Sequence, residues 1–115
     1  MHLNIKTNNR IRYLYTAGGV TKFIDANGIT NTDFLFCAMT WSASADQFRA
    51  YFQGVQSGVT LTVLGAWAGA LDAVRCCLGS DTVTPTFQWN GYLAHGFVLD
   101  YAATPAQIAD LAIVR

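Results

Sequence analysis

The sequence predicts an all-β domain in which two antiparallel sheets pack face to face, with one short helix near the C-terminal end. Three observations carry this. The 115-residue chain has no Glu and only two Lys, while Thr, Val, Phe and Tyr are frequent, so strand formers outweigh surface-helix formers. Short segments of alternating polarity recur between clusters of Asn, Asp and Gly. Residues 104–112 carry the start signals of a helix. The length suits a single domain over 1–115 with one modest core.

Residues 3–7 alternate and suit a short strand, ended by the turn pair Asn8-Asn9. Residues 10–15 follow as a strand with Ile11, Tyr13 and Tyr15 on one face and Arg10 and Arg12 on the other. Ala17-Gly18-Gly19 breaks the chain, and residues 20–24 form the next strand, closed by Asp25-Ala26-Asn27-Gly28. Residues 34–41 are apolar on both faces, as in a strand buried on two sides. After a turn at 42–46, residues 48–52 return to pair with that strand as a hairpin, ended by Gln53-Gly54.

Residues 60–64 are short and β-prone. In the following stretch Leu64, Trp67, Leu71 and Val74 recur at helical spacing, but Gly65 and Gly69 oppose a helix by about 1 kcal/mol each, so an irregular loop is expected. Residues 74–78 read as a strand, Gly79-Ser80-Asp81 as a turn and residues 82–86, with Pro85, as a loop. Residues 92–101 give the best-defined strand pattern. Leu93, His95, Phe97, Leu99 and Tyr101 share one face; Tyr92, Ala94, Gly96, Val98 and Asp100 share the other. Thr104 then serves as N-cap, Pro105 suits the first helical position, and Gln107 completes a capping box. Ile108, Leu111 and Ala112 form its apolar stripe; about two turns need a sheet to dock on. The pattern totals about eight strands, enough for two stacked sheets.

Composition excludes several classes. Charged residues make up 12% and hydrophobic ones 52%, too apolar for a disordered chain and lean in the charge that keeps small monomers apart. The net charge is zero, and Arg10 with Arg12 is the densest basic cluster, so the charge needed for nucleic-acid binding is missing. No apolar run reaches the roughly 18–20 residues of a membrane span. Residues 1–10 show no signal-peptide pattern. The three cysteines, Cys37, Cys76 and Cys77, cannot all pair within the chain; buried thiols are expected, with no zinc spacing.

Four pieces in order resemble one family. Phe36-Cys37-Ala38-Met39-Thr40-Trp41 followed by Phe48-Arg49-Ala50-Tyr51-Phe52-Gln53-Gly54 resembles a central hairpin of laminin-G-like domains. Gly65-Ala66-Trp67-Ala68-Gly69-Ala70-Leu71 looks like a loop of phage and bacterial members. Leu78-Gly79-Ser80 is similar to the step before the closing strand, and residues 89–112 resemble that strand with its helix. The resemblance is to the concanavalin A-like lectin and glucanase superfamily, and it implies a jelly-roll sandwich. Domains of this type carry further strands upstream, so the chain resembles an N-terminally shortened member. An incomplete sandwich exposes strand edges, which predicts a homo-oligomer.

The resemblance implies a non-enzymatic module that binds carbohydrate or a protein surface, on a virion or cell surface as part of a longer chain. The alternative is a structural self-assembly module with no small ligand. Glucanases of this superfamily act through paired carboxylates on a Glu-rich strand, and retaining hydrolysis needs the two about 5–5.5 Å apart. This chain lacks Glu, and its Asp residues are scattered, so no catalytic residue is assigned. For a ligand, Trp67 offers an aromatic platform in a loop, His95 a polar group on an apolar strand face, and Tyr13 and Tyr15 rings along an exposed sheet face. Relatives hold Ca²⁺ through Asp, Asn and backbone oxygens; Asp25 with Asn27, and Asp81, are the candidate ligands here.

Overall fold

A computed structural model describes residues 2–5, 9–26, 29, 34–67 and 92–113. Two compact units divide the chain, one of residues 1–67 with 101–115 and the other of residues 68–100. The described residues of the first unit form two three-stranded antiparallel sheets and one helix. In the first sheet, β1 (His2–Ile5), β2 (Ile11–Ala17) and β3 (Val20–Asp25) follow one another as a meander. In the second, β4 (Cys37–Ser42), β5 (Gln47–Phe52) and β6 (Val55–Leu61) do the same.

The turns set the registers. Ala17 pairs with Val20 across the two-residue Gly18-Gly19 turn, and that register carries through to Arg12 opposite Asp25. Phe52 pairs with Val55 across Gln53-Gly54, both at positive φ. This is the turn geometry whose twist matches that of the flanking strands. The β4–β5 ladder runs unbroken from Cys37 opposite Phe52 to Ser42 opposite Gln47. The β5–β6 ladder slips between Phe48 and Ala50, where β6 carries extra residues around Gly58 at φ 68°. Such a bulge requires a backbone conformation that glycine adopts without strain.

Alternation along β2 sends Ile11, Tyr13, Tyr15 and Ala17 inward, where they meet Ile24 of the same sheet and Phe48 and Ala50 of the other. The Tyr15 and Phe48 rings lie 5.8 Å apart. The Tyr13 hydroxyl donates to the Tyr51 carbonyl at 2.7 Å and links the two sheets. Burial pushes the Tyr13 phenol up, and the neighbouring Cys37 adds to this. Burial also raises the Cys37 thiol, with Tyr13 acting the other way. Cys37, Met39 and Trp41 are half-buried and pack against this core from β4.

Helix α1 (Pro105–Leu111) starts as expected. Thr104 and Gln107 form a reciprocal capping box, with Pro105 in the first turn. Ile108 is its buried residue, and Ala109 and Ala112 lie against Gly54 of the β5–β6 turn. Leu111, expected on the docking stripe, is exposed.

Several expectations need correction. Residues 60–64 were expected as the short strand; β6 instead spans Val55–Leu61, because cross-strand pairing overrides the weak propensity of Gln56-Ser57-Gly58. Residues 92–101, expected as the best-defined strand, form no strand. Tyr92, Leu93, Phe97, Val98 and Tyr101 are exposed. Alternation does not make a strand without a neighbour to take its backbone hydrogen bonds, and no described strand pairs with this segment. The strand at 74–78, the turn at 79–81 and the loop at 82–86 lie outside the described residues.

Candidate functional site

The register of the first sheet builds a charged cluster on its outer face. Arg12 Nε donates to Asp25 Oδ1 at 2.7 Å and Arg12 Nη2 to Asp25 Oδ2 at 2.8 Å. The guanidinium also lies 4.0 Å over the Phe23 ring. This fork-to-fork pairing fixes both side chains, and the carboxylate beside it raises the Arg12 pKa further. Sequence reading did not pair the two residues; the register across the Gly18-Gly19 turn sets Arg12 opposite Asp25.

Asp25 also borders an open cleft of about 260 Å³, lined by Asp25, Ala26, Phe52, Gln56, Ser57 and Gly58. Val55 adds an exposed apolar edge to it. The lining offers a carboxylate already held by Arg12, an amide, a hydroxyl and one ring. Asp25 is the one carboxylate among its described lining residues, so the cleft does not supply the carboxylate pair of a retaining hydrolase.

A second polar cluster stands on the outer face of the other sheet. Arg49 Nε donates to Thr60 Oγ1 at 3.1 Å, and its Nη2 donates to Gln47 Oε1 at 2.6 Å. A third polar group, Asp46, ends the β4–β5 turn at φ 50° and ties it to the segment after β6. Its carboxylate accepts from the Val63 N–H at 2.8 Å and from the Leu64 N–H at 2.9 Å. Those two bonds, that of Leu64 first, hold the Asp46 carboxyl below its ordinary value, helped by the charge of Lys22. Sequence reading took Asp46 for an ordinary turn residue; its partners, 17 and 18 residues away, exist only in the folded chain.

The expected site residues do not converge. Tyr13 and Tyr15, expected along an exposed sheet face, are instead buried between the sheets, because their side of β2 faces Phe48. Trp67 is 44% exposed at the end of the described run after β6. His95 is exposed within the irregular 92–99 segment of the second unit. Of the calcium candidates, Asp25 gives both oxygens to Arg12, an arrangement that opposes a cation at the same carboxylate. Asn27 and Asp81 lie outside the described residues. Among the described residues no cluster of three or more His, Cys, Asp or Glu is positioned to hold a metal. No helix among them is long and apolar enough to cross a membrane.

No family model matches this chain, and no curated protein does. Among solved structures, it is similar to the crystal structure of an S-layer domain-containing protein (residues 221–444) from Clostridium thermocellum, with a TM-score of 0.52 and 19% sequence identity. The match covers 96% of this chain and 54% of that one, so this chain spans about half the length of its structural relative. At that identity the likeness concerns the fold alone, and it sets the chain among β-sandwich domains in the broad sense without assigning it to a lectin family.

Proposed function

We propose that this chain is a non-enzymatic structural module of a surface assembly, which associates with further copies of itself and needs no small ligand. The observation that carries the reading is the likeness of the fold to a domain of an S-layer domain-containing protein. The low charge of the chain and the exposed side chains of Phe23, Val55, Val59 and Val63 support it, since apolar surface of this kind favours association. A cell-surface location belongs to the same proposal, as do the jelly-roll connectivity and laminin-G-like kinship that the motifs imply.

Carbohydrate recognition is the competing reading, and the solvent-accessible ring of Trp67 is the feature that favours it. Light scattering across a dilution series, run beside a glycan array, separates the two. Self-assembly gives a stable species of at least twice the chain mass and no glycan signal. A monomer at every concentration, with glycan retention lost in Trp67→Ala, would overturn the proposal.

A further inference from the structure

Each sheet of the first unit ends in two edge strands, and the four edges differ in how they are guarded. Among the described residues, β1 and β3 flank β2, and β4 and β6 flank β5. An open edge offers backbone N–H and C=O groups to any passing strand, and proteins blunt it by shortness, inward charge or a bulge. Strand β1 is four residues long. Strand β3 carries Lys22 opposite Tyr15, on the side that faces the other sheet. Strand β6 is bulged around Gly58. Strand β4 has none of these devices. Its six residues, Cys37-Ala38-Met39-Thr40-Trp41-Ser42, include no charge, Pro or Gly and keep an unbroken register with β5.

From this contrast we infer that β4 is the docking edge for a second copy of the same chain, joined antiparallel as β4 to β4 about a two-fold axis through Met39. The inference rests on the self-assembly reading and names the surface that carries it. A second copy fits because the strand is uncharged, so two copies meet without like-charge repulsion. Opposed residues of an antiparallel pair share a face, so inward residues must meet inward residues. Centring the pair on Met39 sets Met39 against its own symmetry mate and Cys37 against Trp41 of the second copy. All three are only half-buried in one copy. The paired edge covers them and continues the inner apolar face across both copies. A centre at Thr40 would leave Cys37 without an opposite residue, and a centre between Met39 and Thr40 would set the inner face of one copy against the outer face of the other.

The test uses the full chain. In a background of Cys37→Ala, Cys76→Ser and Cys77→Ser, Met39→Cys places two thiols across the axis, with Cα atoms about 4.5–5.5 Å apart and within disulfide range. Mild oxidation is expected to give a covalent dimer at position 39 and none when the single cysteine is Val59→Cys on β6. Ala38→Lys, checked for an unchanged fold by circular dichroism, is expected to shift the light-scattering mass from dimer to monomer. A parent chain that still dimerises while Met39→Cys fails to cross-link and Ala38→Lys has no effect would overturn the β4 edge and leave self-assembly standing. A parent chain that stays monomeric at every concentration would overturn both.

Discussion

Tyr13 and Tyr51 carry the same hydroxyl into opposite situations. The Tyr13 hydroxyl donates across the sheets to the Tyr51 carbonyl, whereas the Tyr51 hydroxyl is buried and finds no hydrogen-bond partner among the described residues. A buried polar group without a partner keeps its desolvation cost, while a paired one offsets it. Tyr13→Phe is therefore expected to destabilise by about 1 kcal/mol in urea denaturation, because it removes the hydrogen bond that links the two sheets. Tyr51→Phe is expected to be neutral or mildly stabilising in the same measurement. A loss of similar size in both would show that the Tyr51 hydroxyl has a partner in solution. The alternation of Ile11, Tyr13 and Tyr15 was plain in the sequence, but not which of the two faces of β2 was inward. That depended on where the second sheet lay.

The elements are held by a few tertiary clamps. Asp46 joins the β4–β5 turn to the Val63–Leu64 backbone, and its carboxyl is held below the ordinary 3.8 by those N–H groups. A group depressed on folding stabilises fully above its ordinary value, and that contribution disappears as pH falls through the lower folded-state value. The melting temperature is thus expected to drop in acid, and Asp46→Asn, which tolerates the same positive φ, should flatten that drop. An unchanged acid profile in Asp46→Asn would assign the acid sensitivity to other carboxylates. At the β5–β6 turn, Gly54 has φ 78°, and a Cβ there would lie 2.8 Å from the Ala112 Cβ. Gly54→Ala is expected to cost about 1–3 kcal/mol through strain and displacement of α1. Hydrogen exchange should register it first at the amides of α1, and an unaffected helix would mean that the contact yields freely. The capping box of α1 was readable in advance because it is a local code spanning Thr104 to Gln107. The extent of β6 was not, because Val55–Leu61 takes its strand form from β5.

At the scale of the whole molecule, the proposed assembly would draw on what the two sheets leave uncovered. The low charge of the chain is what motivates that proposal, since little charge leaves apolar surface with nothing to keep copies apart. Which surface would associate was not readable, because an edge is a property of strand order and not of any one segment. The sequence by itself determined the all-β class, the turns at Gly18-Gly19 and Gln53-Gly54, the shared face of Ile11, Tyr13 and Tyr15 and the start of the helix. Each of these is written in neighbours a few residues apart. Only the tertiary structure decided that Arg12 grips Asp25, that Asp46 reaches Val63 and Leu64, and that residues 92–101 do not extend as a strand. Those outcomes rest on partners brought from far along the chain, and a strand pattern becomes a strand only where another strand's backbone lies within hydrogen-bonding reach.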